Sequence, residues 1–235
     1  MPTVTAAQMR EIDRLMIEDV GITLEQMMEN AGRAFAELAR RHLLETAGRR
    51  VVVLAGPGGN GGGALVAARR LAIWGAEVIV AIASGAQQMH PVPARQLAIV
   101  RRMGIEIASP DTDVPTLEGA AVVLDGLLGY GLSGPPRGRA ADLIRAANDS
   151  TVPVLALDVP SGLSSDTGEA FDPTIRARQT LTLALPKAGL LEQRARAYVG
   201  ELFLADISVP PVVYRQLGLS VGPIFSEQDI IRVTQ

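Results

Sequence analysis

The sequence predicts an α/β fold in which a mostly parallel sheet is covered by helices on both faces. Three observations predict it: short continuous apolar runs, amphipathic segments that alternate with them, and glycine-rich turns at the ends of several runs. Strands that are apolar at every position are typical of parallel sheets buried on both faces. The 235 residues suit one domain spanning residues 1–235, since no linker, repeat or low-complexity stretch divides them.

Two helices are predicted before the first strand. Thr5 and Thr23 each precede a glutamine by three residues, which is the capping-box spacing that opens a helix. Apolar residues follow at helical spacing, and the turn DVGI separates the two segments. We expect Gly48 to end the second helix. Its large apolar surface has three alternative uses: core packing alone, packing on the first helix, or a homodimer contact.

Strands and helices alternate through the rest of the chain. The predicted strands are RVVVLA, EVIVAIA, AAVVLD, PVLALD, QTLTLAL and GELFLADI. The predicted helices are GALVAARRLAIWG, ARQLAIVRRMG and RAADLIRAAN, with a short one in VPPVVYRQLG near the C-terminus.

The composition excludes several classes of function. Charged residues make up 20% of the chain and the net charge is −3, with no basic stripe of the kind that binds nucleic acid. No apolar run approaches the roughly 20 residues that span a bilayer, and the N-terminus lacks a signal-peptide core, so no membrane contact is expected and the cytoplasm is the predicted compartment. The chain contains no cysteine, which excludes disulfides and thiolate chemistry.

Glycine-rich loops follow three of the predicted strands. They are GPGGNGGG at residues 56–63, GLLGYGLSGPPRG after Asp125, and VPSG after Asp158. In a parallel sheet these loops share the carboxyl edge, where ligands bind, and a loop that opens a helix can hold a phosphate with its N–H groups. A plain NAD site is disfavoured, because the strand that ends AIASGA lacks the carboxylate that binds a ribose. The lysine and hydroxyl of a P-loop are also missing.

Polar side chains at these strand ends form a second signal. Asp125, Asp158, Asn60 and Ser161 would make a compact oxygen-rich site, which suits a hard cation or a polar ligand. Either aspartate alone could instead cap the next helix. Lys187 is the single lysine among 22 basic residues, which favours a site that needs a compact ammonium group. An ordinary surface lysine is the alternative.

Together these motifs resemble the YjeF N-terminal domain family, whose enzymes are NAD(P)H-hydrate epimerases. The resemblance rests on TAAQMREIDRLMIEDVGITLEQMMENAGRA, AGPGGNGGGALVAARRL, LDGLLGYGLSG, LDVPSGLSSDTGE and LPKAGL, in the family's order. It implies a three-layer α/β/α Rossmann-like fold, a homodimer, and interconversion of the R and S hydrates of NADH and NADPH (NADHX and NADPHX). It also implies that a separate dehydratase completes the repair.

The resemblance further implies the roles of single residues. Asn60, Asp125 and Ser161 would hold a potassium ion, and Asp158 would act as acid and base. Lys187, in LPKAGL, could neutralise a phosphate or pair with Asp158, and a purely structural salt bridge is the alternative. The substrate contacts would be Gly59, Asn60, Gly61, Gly62, Gly63, Gly129, Tyr130, Gly131, Leu132, Ser133, Gly134, Pro135, Asp158 and Lys187.

The first glycine-rich loop departs from the family pattern. Gly59 and Gly63 stand where the family has asparagine and aspartate, and Ala64 replaces its last glycine. Loss of an amide and a carboxylate leaves fewer side-chain contacts for a ribose or nicotinamide. The alternative function is therefore a weakened or inactive member that serves as a nucleotide-binding or dimerisation module. A third, weaker alternative is an enzyme acting on nucleotide sugars or phosphate esters.

Overall fold

A computed structural model describes residues 1–109, 111 and 114–234 and confirms the α/β prediction. The helices are α1 (Ala6–Leu15), α2 (Leu24–Leu43), α3 (Gly59–Ile73), α4 (Pro91–Arg102), α5 (Gly138–Asp149), α6 (Arg196–Val199) and α7 (Pro211–Gln216). The strands are β1 (Arg50–Ala55), β2 (Glu77–Ile82), β3 (Glu106–Ala108), β4 (Val122–Gly126), β5 (Val154–Leu157), β6 (Gln179–Leu183), β7 (Glu201–Ala205) and β8 (Ile230–Arg232).

The strands form one sheet in the order β3-β2-β1-β4-β5-β6-β7-β8. All neighbours pair in parallel except β7 and β8, which are antiparallel. The order reverses between β1 and β4, where Leu54 lies beside Asp125. Loops leaving adjacent strands in opposite directions open a crevice at such a point, which is where α/β sheets bind ligands.

Helices cover both faces of the sheet, as the continuous apolar strands predict. Alternate residues of β1 divide between two cores: Val51 and Val53 face α2, α3 and α4, whereas Val52 and Leu54 face α5. A further core joins α1, the start of α2 and α7 beyond the carboxyl edge of β6. Helix α1 is thereby held against the edge at which the glycine-rich loops emerge.

Both predicted capping boxes are present at the N-terminal helices. The hydroxyls of Thr5 and Thr23 accept from the backbone N–H groups of Gln8 and Gln26, whose side chains accept in return from the threonine N–H groups. Helix α2 ends at Leu43 rather than at Gly48, because the backbone turns at Leu44 with a φ of 63°.

The apolar stripe of α2 is used within the chain. Met27 and Ala31 pack on α1, and Phe35 and Leu38 are buried against the sheet. Of the three alternatives for this stripe, the structure shows packing on the first helix and core packing. A homodimer stays a prediction.

Close backbone contacts explain two of the six glycines at residues 56–63, namely Gly56 and Gly61. A Cβ on Gly61 would lie 1.9 Å from the carbonyl oxygen of Gly56, and a Cβ on Gly56 would lie 1.8 Å from that of Leu127. These contacts let α3 begin at Gly59, earlier than the predicted start at Gly63, despite the poor helix propensity of glycine. Gly59 itself lies in open space.

We expect Gly61→Ala and Gly59→Ala to have opposite effects on the free energy of unfolding. Alanine at 61 forces backbone segments apart and should cost at least about 2 kcal/mol. Alanine at 59 meets no atom and should be neutral or stabilising by up to about 1 kcal/mol. Urea unfolding of both variants measures the difference. Equal stabilities would show that the close approach at Gly61 does not constrain the loop.

Candidate functional site

A cleft of about 690 Å³ opens at the carboxyl ends of β1, β4 and β5, at the reversal in strand order. Residues from α1 and α2 also line it. Ten of the sequence-predicted residues line it: Gly59, Asn60, Gly63, Gly129, Tyr130, Gly131, Leu132, Ser133, Asp158 and Lys187. The other predicted contacts, Gly61, Gly62, Gly134 and Pro135, lie outside this lining, and Asp125 and Ser161 are buried among the same loops.

Asp158 and Lys187 form a buried ion pair in the cleft wall. The Lys187 ammonium contacts Asp158 Oδ1, and its Nζ also donates to the Leu183 carbonyl at 2.9 Å and to Thr182 Oγ1 at 3.3 Å. Its three N–H groups therefore all have acceptors, which a buried ammonium requires. The side chain of Lys187 has no solvent exposure, so the surface-lysine alternative is wrong.

The backbone at Asp158 directs its carboxylate into the cleft. This residue directly follows β5 and has a φ of 64°, in the left-handed region that few side chains adopt. Its Oδ2 accepts from the Tyr130 N–H at 3.2 Å. The loop after β5 is thus tied to the loop after β4 at the point where a ligand would lie.

Asp125 is a fully buried carboxylate without a cationic partner in the described part of the chain. Its Oδ1 accepts from Ser161 Oγ at 2.7 Å and Leu127 N at 3.1 Å, and its Oδ2 accepts from Ser161 N at 2.8 Å. Burial raises the pKa of Asp125 to about 6, against the opposing effect of these hydrogen bonds. A bound cation would offset the cost of this buried charge.

Asn60 joins all three loops. Its Nδ2 donates to the carbonyls of Leu128 at 2.9 Å and Leu157 at 3.1 Å. Ser161 Oγ contacts the same Leu128, accepting from its N–H at 2.8 Å and donating to its carbonyl at 3.2 Å. Asn60, Asp125 and Ser161, predicted as a set, are therefore brought into one polar cluster beneath the cleft.

Asp13 and Tyr130 form a second polar contact in the cleft wall. The Tyr130 hydroxyl donates to Asp13 Oδ2 at 2.5 Å. Burial raises the pKa of both groups; in Asp13 the hydrogen bond from Tyr130 opposes this rise. Sequence analysis missed Asp13. The available signal was its place beside the buried stripe of α1, one turn from Met9 and next to Ile12.

The two altered loop positions differ in the space around them. Gly59 is exposed and open, whereas a Cβ on Gly63 would lie 2.8 Å from Leu157 Cδ2. Neither glycine has a positive φ. Asparagine therefore fits at position 59, but aspartate at position 63 requires the Leu157 side chain to move.

The profile of the family described as YjeF-related protein N-terminus matches residues 24–189. The chain belongs to this family. In it, a protein from Dehalogenimonas lykanthroporepellens named NAD(P)H-hydrate epimerase is 44% identical over 220 residues, which cover 92% of this chain and 86% of the relative. A protein from Rhodopirellula baltica with the same name is 37% identical and is covered to 89%.

Two other similarities place the YjeF-related chain in context. A longer protein from Hyperthermus butylicus, named bifunctional NAD(P)H-hydrate repair enzyme Nnr, is 45% identical over 211 residues, which cover 88% of this chain but only 38% of that protein. The crystal structure of the yeast protein ynu0 superimposes with a TM-score of 0.84 at 25% identity, covering 99% of this chain.

Every helix in the described residues is too short or too polar to cross a membrane.

We expect Lys187→Met to lower the free energy of unfolding by about 3–5 kcal/mol, because it leaves the Asp158 carboxylate buried without a cation. Adding Asp158→Asn should recover much of the loss. Arg145→Met breaks an exposed pair with Asp142 and should cost less than about 1 kcal/mol. Denaturant unfolding compares the variants. A Lys187→Met effect as small as that of Arg145→Met would contradict the buried-pair interpretation.

Proposed function

We propose that this protein is an NAD(P)H-hydrate epimerase that interconverts the R and S hydrates of NADH and NADPH. The observation that carries the proposal is the Asp158 carboxylate, paired with buried Lys187 and facing a cleft at the reversal in strand order. Relatives named NAD(P)H-hydrate epimerase are similar over most of the chain, which supports the same conclusion.

The cleft has the parts that a hydrated dinucleotide needs. Helix α3 begins at the cleft with Gly58 and Gly59, so unpaired N–H groups of its first turn can meet a phosphate. Apolar side chains of Met27, Met28 and Leu132 offer a surface for a ring. Gly129 keeps a side chain away from Asp158, since a Cβ there would lie 3.4 Å from Oδ2.

The reaction requires the hydroxyl at C6 of the nicotinamide ring to leave and return on the other face. The hydroxyl needs a proton to depart as water. The electron pair of the ring nitrogen helps to expel it, and the ring that remains is cationic. The Asp158 carboxylate would stabilise that cation and take up a proton when water returns. Lys187 holds this carboxylate in place, and we propose pairing with Asp158 rather than phosphate binding as its role.

We also propose that Asn60, Asp125 and Ser161 hold a potassium ion, whose charge would offset that of the buried carboxylate. One carboxylate, one amide and one hydroxyl give a low ligand charge that suits a monovalent ion better than Mg²⁺. No three acidic or histidine side chains converge anywhere in the described residues. To bind the ion, the Asn60 amide would turn by 180°. Its oxygen would then take the place of Nδ2, next to the backbone carbonyls of Leu128 and Leu157.

A separate dehydratase is the proposed functional partner, because epimerisation only interconverts the two hydrates. The relatives named bifunctional NAD(P)H-hydrate repair enzyme support such a partner, because their name gives them a second activity on the same class of substrate. A homodimer and a cytoplasmic location complete the proposal.

We expect the protein to accelerate interconversion of the R and S hydrates. Proton NMR measures the rate at which a mixture prepared away from the equilibrium ratio returns to it. Asp158→Asn should lower the rate by about 100-fold or more, because the amide cannot accept the proton. Asp142→Asn, an exposed matched change, should leave it unaltered. A folded wild-type protein that binds the hydrates without accelerating their exchange would instead be the weakened binding module that Gly59 and Gly63 suggest.

We expect potassium chloride to raise the melting temperature relative to tetramethylammonium chloride at equal ionic strength. An ion at 100 times its Kd adds about 2.7 kcal/mol to the free energy of unfolding. Asp125→Asn should remove the difference. Crystals soaked in Rb⁺ or Tl⁺ should show an anomalous peak among Asn60, Asp125 and Ser161. Equal melting temperatures in both salts, or a peak elsewhere, would refute the site.

A further inference from the structure

The Asp13–Tyr130 pair has no role in the reaction as described so far. Both residues line the cleft, and Tyr130 connects two carboxylates: its N–H donates to Asp158 Oδ2 and its hydroxyl donates to Asp13 Oδ2. Asp13 and Asp158 therefore lie at opposite ends of one tyrosine. In the described residues, no donor contacts the other carboxylate oxygen of Asp13, so it is available to a molecule in the cleft.

The proposed epimerisation has a use for a second carboxyl group. The hydroxyl leaves from one face of the ring and water returns to the other, so a proton is needed on one side and must be accepted on the other. A single carboxyl group fixed at one end of the cleft reaches one face. Asp13 supplies a second carboxyl group in the same cleft, held at the hydroxyl end of Tyr130, whereas Asp158 is held at the N–H of that residue.

We propose that Asp13, held by Tyr130, is a second catalytic residue that exchanges a proton with the C6 hydroxyl on the ring face opposite Asp158. This inference rests on the proposed epimerase function and adds a residue to its mechanism.

The step balances with one proton shared by the two carboxyl groups. The protonated group gives its proton to the hydroxyl, the C6–O bond breaks, water leaves with the bond electrons, and the nitrogen lone pair forms a C=N bond. Water then attacks C6 from the other face, the new C–O bond forms, and its extra proton passes to the second carboxylate. Solvent returns the proton, and nothing is oxidised or reduced.

The surroundings of the two carboxyl groups suit these complementary states. Asp158 is in contact with the Lys187 ammonium, whereas Asp13 has no ion-pair partner among the described residues. Burial raises the pKa of Asp13, and the charge of Asp158 acts in the same direction. The Tyr130 hydrogen bond and the Lys187 charge oppose it. Arg10 also lines the cleft. Two acids whose environments differ in this way can divide acid and base roles.

The test compares the pH dependence of kcat/KM for interconversion in four proteins: wild type, Asp13→Asn, Tyr130→Phe and Asp19→Asn. A pair that shares one proton gives a bell-shaped profile in wild type. Asp13→Asn should lower kcat/KM by about 100-fold or more and abolish one limb of the bell. Tyr130→Phe removes a hydrogen bond to the charged form of Asp13, so the alkaline limb should move to higher pH. Asp19→Asn changes an exposed residue that follows the same helix and should behave as wild type.

Each outcome decides the proposal. Wild-type rate and profile in folded Asp13→Asn would overturn it and leave the epimerase function intact. If Asp13→Asn does not fold, as judged by thermal melting, an unmoved alkaline limb in Tyr130→Phe overturns it. A wild-type protein that does not accelerate the reaction overturns the proposed function, and this inference with it.

Discussion

The loops at the carboxyl edge of the sheet depend on a buried carboxylate that has no cationic partner among the described residues. Asp125 accepts hydrogen bonds from the N–H and the hydroxyl of Ser161 and from the N–H of Leu127. These bonds to one carboxylate fix the loops after β4 and β5 to each other. Replacing so buried an acid by an apolar residue would save its desolvation cost but release both loops. The position of Asp158, three residues before Ser161, follows from this anchor.

The sequence predicted the sheet, the cleft edge and the chemistry-bearing loops because each has a local signature. Continuous apolar runs marked the central strands, and glycines with terminal aspartates marked the site. Two edge strands, β3 and β8, have three residues each and were missed because such short segments carry no pattern. The start of α3 was misplaced because glycine has a poor helix propensity, whereas the glycines at 61, 62 and 63 are explained by close contacts with Gly56, Met28 and Leu157, which propensity does not register.

Side-chain pairing across the cleft was the least predictable part. Lys187 stood out as the single lysine, but only the fold shows that it is buried against Asp158. Asp13 was hidden by its neighbours, because a carboxylate beside an amphipathic helix stripe looks like a boundary residue. Its partner Tyr130 lies 117 positions away in the chain. No local pattern connects residues at that separation. They meet because the fold places α1 beside the loop after β4.

The burial of the only lysine has a consequence for how this protein reacts with its chemical environment. In the folded chain the one ε-amino group, that of Lys187, does not reach solvent, so acetylating enzymes and amine-directed labels or cross-linkers find no lysine side chain to modify. A reagent reaches Lys187 only when the cleft wall opens. Labelling of this one side chain would therefore report the frequency of that opening, in the way that hydrogen exchange reports local unfolding of a backbone amide.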